Sequence, residues 1–566
     1  MKARITRRQM LRCGGLAGMA VVIGACQPKV VEKIVRETVP VKETVAVKET
    51  VTVKETVVVR QELMRKLKGR ITVAAEGSVP VPGMPLTARQ EAWQRVLRMY
   101  KQYQPNVEVI LEDLPEGQRG EVWCEARKTA KRMPDISMVG ECNYFRPSPE
   151  EVKSGANIAK DFMPFQDELN PYTGRPWRED WYSDWVRLGR GQQAGATDMW
   201  TCITQDYFAH VIWVNEDILA QYGYPAGQFP KTMSELWALS DKIKAGGKHT
   251  AWDNQRTVWQ PFFRAVASVL TMKEFEAAGG VWNKGPAALA ASVSELIGAA
   301  DRAAPHIVAQ FCSGTWAGSK SAAIREAVMQ TKRATDAWGG SVFWDPARDQ
   351  NGRLWLTGRA ALRFASTPFV RNVQQAEKDG TLLTKNWRFV HWPKLTKDCL
   401  INKDLPIYFE GDLFQASYGA GDVFAPTDNV RASGPDANVD LIIRDFFQFL
   451  SSPLGQQRIL DEGGIPLNPI VLQRADPRIA VALALRPKQY EGVNQPPGAL
   501  VNPLQNWDTE RSIEAYLRGD LTIDAALQKA DLNATREGIK RMMDRAADFG
   551  ITQPPDVCKA WQAANR

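Results

Sequence analysis

The stretch from Gly69 to Val139 limits the fold more than any other part of the chain. Arg70–Ala75 (RITVAA) reads as a strand, and a Gly/Pro-rich loop runs from Glu76 to Pro85. Ala88–Tyr103 carries Trp93, Val96, Leu97 and Tyr100 at helical spacing, and Pro105-Asn106 stops it. Val107–Leu111 (VEVIL) reads as a second strand, Glu121–Arg132 as a helix, and Pro134–Val139 as a third strand. Strands separated by crossover helices run parallel, so the fold class is α/β. In such sheets ligands sit beyond the carboxyl ends of the strands. Those ends are Glu76–Ser78, Glu112–Asp113 and Glu141–Tyr144, which makes Glu76, Asn143 and Tyr144 candidate ligand contacts.

A chain of 566 residues is too long for one core, and about two to four domain-sized units are expected. Its first 25 residues are an address. Thr6-Arg7-Arg8-Gln9-Met10-Leu11-Arg12 resembles a twin-arginine export motif. The apolar run Leu16–Ile23 falls short of the roughly 20 residues that span a bilayer. It ends in Ile23-Gly24-Ala25-Cys26, which resembles a lipoprotein signal; cleavage before Cys26 and lipidation of its thiol are expected, with an ordinary secretory signal as the alternative. The five cations of this segment account for most of the net charge of +8, and no basic cluster follows, so nucleic acid is not an expected partner. Residues 39–59 repeat VKET between valines with period six. A lone amphipathic strand has nowhere to bury its valines, so residues 26–68 are read as a lipid anchor and tether, with pairing to a second copy as the alternative. Outside the cytoplasm, Cys124, Cys142, Cys202, Cys312, Cys399 and Cys558 permit up to three disulfides. Cys124–Cys142 is the favoured pair, because both fall in one short helix–strand unit; free buried thiols are the alternative.

Val211–Lys244 reads as strand (VIWVN), helix with Ile218, Leu219 and Tyr222 on one face, Gly/Pro break, and a second helix capped by Thr232 or Ser234. That order resembles the extracellular solute-binding proteins of ABC importers, the family of maltose-binding protein, where the matching segment crosses the hinge between lobes. Further markers follow in the same order: Pro134-Asp135-Ile136 entering the third strand, Gly358–Leu362 feeding the strand LRFAS, Phe389–Pro393, the return strand Asp422–Pro426, the helix from Asp436 to Leu450, Gly463–Pro466, and Tyr516–Ala530. The resemblance spans about residues 70–535. It implies a two-lobed periplasmic-binding-protein-like fold of type II with an interlobe ligand cleft. Lobe one is expected over 69–205 plus 422–475, and lobe two over 206–421 plus 476–566 with the C-terminal helices.

Catalytic signals are poor. The four histidines are scattered without metal spacing, and Gly314–Ser321 is one residue short of a phosphate loop between its glycines. No catalytic residue, metal or cofactor is expected. Nineteen tryptophans exceed ordinary usage. Trp177, Trp181 and Trp185 fit one helix face and read as core. For the others, a sugar cleft wants aromatic faces interleaved with charged and amide groups. Residue by residue, the resemblance implies ligand contacts at Trp259, Phe369 and Trp507, with core packing as the alternative for each. Asp206 and Tyr207 precede the hinge strand, near an expected acidic contact, and Glu410 lies in a long aromatic link. For Glu76, Asp206 and Glu410 a solvated surface or a structural ion pair is the alternative. The function implied is a non-enzymatic solute-binding component that delivers a carbohydrate to the transmembrane subunits of an ABC permease from the outer face of the membrane, held there by its lipid anchor. The alternatives are an exported glycan hydrolase and a sensor or adhesin on the same fold.

Overall fold

The computed structural model describes residues 66–114, 123–138, 162–182, 200–277, 305–345, 351–407, 418–427, 437–478 and 507–565, apart from a few single positions. The expected parallel unit is present. Strands β1 (Gly69–Ala74), β2 (Val107–Glu112) and β3 (Ile136–Met138) are parallel, with β1 in the middle. Helix α1 (Ala88–Tyr103) joins the first two, and Thr87 caps it through a reciprocal box with Gln90. The signal peptide, the tether and Cys26 lie outside the described residues.

The long strand β4 (Ile203–Asn215) organises the rest. Asn215 caps α2 (Glu216–Gln221), and Thr232 rather than Ser234 caps α3 (Met233–Gly246) by accepting from the Glu235 amide. Next come β5 (Thr250–Trp252), α4 (Trp259–Ala277), α5 (Pro305–Ser313), α6 (Ala322–Ala337) and α7 (Arg353–Leu356). Strand β6 (Ala360–Ser366), helix α8 (Val370–Lys378) and strand β7 (Trp387–Val390) follow, then the return strand β8 (Tyr418–Pro426). The chain closes with α9 (Ala437–Ser451), α10 (Pro453–Asp461), α11 (Pro469–Leu472), α12 (Trp507–Arg518), α13 (Ile523–Asp544) and α14 (Asp556–Ala564).

Strand order is β2-β1-β3-β8-β4-β6-β5, with β7 pairing β4 off this path. β4 changes partners along its length. Ile203–Ala209 pairs with β8, which in turn pairs antiparallel with β3; from His210 onward β4 pairs with β6 and β7. Its side chains alternate between two cores, as a period of two requires. Ile212 and Val214 join a core with Trp237, Trp252, Phe262, Trp338 and Trp392, against which the C-terminal helices set Ile513, Leu517 and Leu527. Val211 and Trp213 join the other core, with Trp93, Tyr100, Trp177, Trp200 and Phe446.

One expectation is corrected. Trp177 and Trp181 do not share a helix: Trp177–Asp180 is a single 3-10 turn and Trp181 is extended (φ −115°, ψ 147°), while Trp185 lies outside the described residues. Both rings are core, packed against Trp200 and, through Trp177, Phe162. The cysteines divide between bonded and free. Cys312–Cys558 is a disulfide, and Cys202 and Cys399 are buried free thiols, which rules out three bridges among the six. Cys124 is disulfide-bonded; Cys142, its expected partner, lies outside the described residues. Among the described residues no helix is long and apolar enough to cross a membrane.

Candidate functional site

The carboxyl ends of the three parallel strands meet the partner switch of β4. Beyond β1 the chain turns through Glu76 and Gly77, and the Gly77 amide donates to Asp113 at the end of β2, 3.0 Å away. Arg89, in the first turn of α1, lies over that turn and brings its guanidinium to 3.7 Å from the sulfur of Met138 at the end of β3. On β4, Asp206 bridges to Pro466, the Tyr207 amide donates to the Ile465 carbonyl at 2.9 Å, and the Tyr207 carbonyl accepts from the Thr367 hydroxyl at 3.0 Å. Strand ends, the 463–466 segment and the entry to α8 therefore converge on two adjacent residues.

The charges at this junction form one cluster. Glu462, at the end of α10, has a fully buried side chain and takes a 2.5 Å hydrogen bond from Arg458, one helical turn earlier. Arg458 is itself fully buried, its guanidinium 4.4 Å from the centre of the Trp93 ring. Two more guanidiniums approach Glu462 Oε2: Arg371 Nη2 at 3.6 Å and Arg89 Nη1 at 4.0 Å. Arg371 Nη2 also stands 3.9 Å from Asp206 Oδ2. Gly463 makes this approach possible. It holds φ +80°, and a Cβ there would lie 2.6 Å from Gln374 Oε1 and 3.1 Å from the Arg371 Cα.

Asp206 and Tyr207 thus belong to this junction, and Asp206 takes part in an ion pair, while Glu76 lies in the turn beyond β1. Tyr207 is 1% exposed. The aromatic expectations fare differently. Trp259 is buried beside Phe263 in the core that contains Trp237, and Phe369 is buried beneath the Arg363 guanidinium, against Trp213 and Trp355. Neither ring offers an open face, because each lies on the inner side of its helical turn. Trp507 begins α12, but its side chain lies outside the described residues, as do Asn143, Tyr144 and Glu410. Among the described residues twelve tryptophans are buried, so their abundance builds cores before it builds any ligand surface. Sequence reading missed Arg89, Arg371, Arg458 and Glu462. Only Arg458 and Glu462 left a signal, the i,i+4 opposite charges just before a glycine pair.

The glycine loop at 314–321 is occupied from within. The amides of Gly318 and Ser319 donate to the Asp531 carboxylate at 2.6 and 2.9 Å. A side chain fills the place an anion would take, in agreement with the rejected phosphate loop. A surface recess of about 520 Å³, lined by Trp237, Lys244, Lys332, Arg333 and Tyr516 among others, lies on the flank of the core that contains Trp237. Among the described residues no three or more His, Cys, Asp or Glu side chains gather as a metal site.

No protein-family model matches the chain, and no curated protein matches it in sequence. Solved structures do match. The fold is the two-lobed α/β fold of extracellular solute-binding proteins. A chitin oligosaccharide binding protein superposes with a TM-score of 0.53 at 14% identity, over 83% of this chain and 99% of that one. A protein solved in work on xylan utilization by Caldanaerobius polysaccharolyticus gives 0.51 at 13% identity, over 82% and 99%. The maltose/maltodextrin-binding domain MalE of Bdellovibrio bacteriovorus, solved with maltotriose, gives 0.50 at 13% identity, over 83% and 99%.

Proposed function

We propose that this chain is an exported, lipid-anchored solute-binding protein that captures a carbohydrate between its two lobes and delivers it to the transmembrane subunits of an ABC permease. The single observation that carries the reading is β4, one continuous strand that serves both sheets at the point where the three parallel strand ends, Asp206–Tyr207 and the arginine–carboxylate cluster meet. Ligands of α/β sheets bind at such ends, and a strand shared by two packed bodies is a natural hinge. The likeness to structures whose names specify chitin oligosaccharide or maltotriose supports a sugar over a peptide or a metal.

On this reading the ligand closes the lobes and occupancy is signalled to the permease by shape. The protein binds and does not turn its ligand over. The twin-arginine signal exports a folded chain, Cys26 anchors it, and the VKET repeats hold the body clear of the membrane. Asn143, Tyr144, Glu410 and Trp507 complete the ligand contacts from the neighbouring segments. A melting-temperature screen of the purified body against neutral oligosaccharides tests this: at least one should raise Tm in proportion to the logarithm of its concentration. A flat response to the whole panel contradicts the reading.

A further inference from the structure

The recess on the flank of the core that contains Trp237 shares no lining residue with the arginine–carboxylate junction. Its volume, about 520 Å³, falls within the roughly 300–1,000 Å³ usual for small-molecule sites. Helix α3 places Asp241 and Lys244 on it, α6 places Met329, Arg333 and Asp336, α12 places Tyr516, and the loop after Cys399 adds Ile401. Thr232 caps α3 and Ser321 caps α6, so two of its walls are held on pinned helices.

Part of the lining is apolar. Tyr516 packs partly against the core and also lines the recess, and Met329 and the exposed Ile401 extend that surface. Burial and the nearby Asp336 carboxylate push the Tyr516 hydroxyl above its ordinary pKa, so it stays a protonated donor. The polar lining carries both signs. Lys332 pairs with Asp336 at 2.5 Å, and Lys244 Nζ donates to the Asp336 carbonyl at 3.2 Å. Asp241 and Arg333 are both exposed, and among the described residues neither makes a hydrogen bond or an ion pair. One recess thus offers a free carboxylate, a free guanidinium and an aromatic side chain, all within reach of solvent. A wholly apolar guest would strip water from the two charges without replacing its hydrogen bonds. A sugar replaces them, because each hydroxyl both donates and accepts, and its C–H face suits the apolar lining.

We infer that this recess is a second saccharide site, separate from the proposed interlobe cleft. Asp241 accepts from sugar hydroxyls, Arg333 donates to them, and Tyr516, Met329 and Ile401 carry the C–H face of the ring. The site stands or falls independently of the cleft.

Equilibrium dialysis of the purified exported chain tests this, with radiolabelled neutral trisaccharides of glucose, N-acetylglucosamine and xylose taken to millimolar concentration. At least one should bind wild type at two sites per chain, the second more weakly than the first. Asp241→Asn and Arg333→Gln alter exposed side chains and should fold normally; each should weaken only one of the two sites, by about tenfold. Tyr516→Ala should weaken that same site, with circular dichroism confirming its fold. Two sites that are both indifferent to Asp241→Asn and Arg333→Gln overturn the inference. A single site indifferent to both variants overturns it too and leaves the cleft standing. A single site weakened by both supports the recess and contradicts the cleft. No binding of any of the three sugars overturns the inference together with the proposed sugar-binding role.

Discussion

Asp180 shows how a single buried carboxyl can set a pH dependence. Asn170 donates to it at 2.5 Å, and Arg175 stands 3.6 Å away. Burial nevertheless dominates, and pushes its pKa from 3.8 up to about 8, against the lowering effect of those partners. A folded-state pKa above the unfolded one means the protonated form is favoured by folding. Its contribution is complete below pH 3.8 and is lost as the pH climbs towards about 8. Asp180→Asn removes this titration. Urea unfolding should find the variant level with wild type near pH 4 and increasingly more stable by pH 8; a constant difference across that range contradicts the account. Gly463 is the second single-residue test. Alanine there must hold φ +80° and press on Arg371 and Gln374. Gly463→Ala should cost about 1–3 kcal/mol of stability, read by urea titration.

At the scale of elements, caps and helix joints were the most legible features. Thr232, followed by Glu235 ahead of an apolar face, predicted the start of α3, and the Thr232 hydroxyl accepts from the Glu235 amide at 3.2 Å. Thr232→Ala should cost about 1 kcal/mol. The joint between α9 and α10 is tighter. A Cβ at Gly455 would lie 2.4 Å from both the Leu450 Cα and the Phe449 carbonyl oxygen, so Gly455→Ala should fail to reach a native melting temperature. The crossover helix, the parallel order of β1 to β3 and the return strand were readable because each rests on local periodicity and on the handedness of short connections. The disulfide was not readable. Cys312 and Cys558 are 246 residues apart, and their approach depends on α5 meeting α13 and α14 around Val308, Ile539 and Met542. The arginine cluster was hidden for the same reason: Arg89, Arg371 and Glu462 come from three distant helices, and no spacing announces their meeting. Aromatic content misled, because tryptophans wanted for a sugar surface, Trp259 among them, fill the cores. Replacing Cys312 and Cys558 with alanine should lower Tm and cost up to about 5 kcal/mol on the chain-entropy estimate for so long a loop.

For the molecule as a whole, the change of partners along β4 makes a claim about mechanics. β4 pairs with β8 over Ile203–Ala209 and with β6 and β7 from His210 onward, so one strand runs through both sets of pairings. The Cys312–Cys558 bridge ties α5 to α14, and the proposed hinge is the β4 crossing. Small-angle X-ray scattering of the purified exported chain, titrated with the neutral oligosaccharide that most raises its melting temperature, tests this most directly. The account predicts a saturable fall in the radius of gyration that follows the binding isotherm, with the oligosaccharide recovered intact. A saturated ligand that leaves the scattering curve unchanged, or one recovered as cleaved sugar, would contradict it.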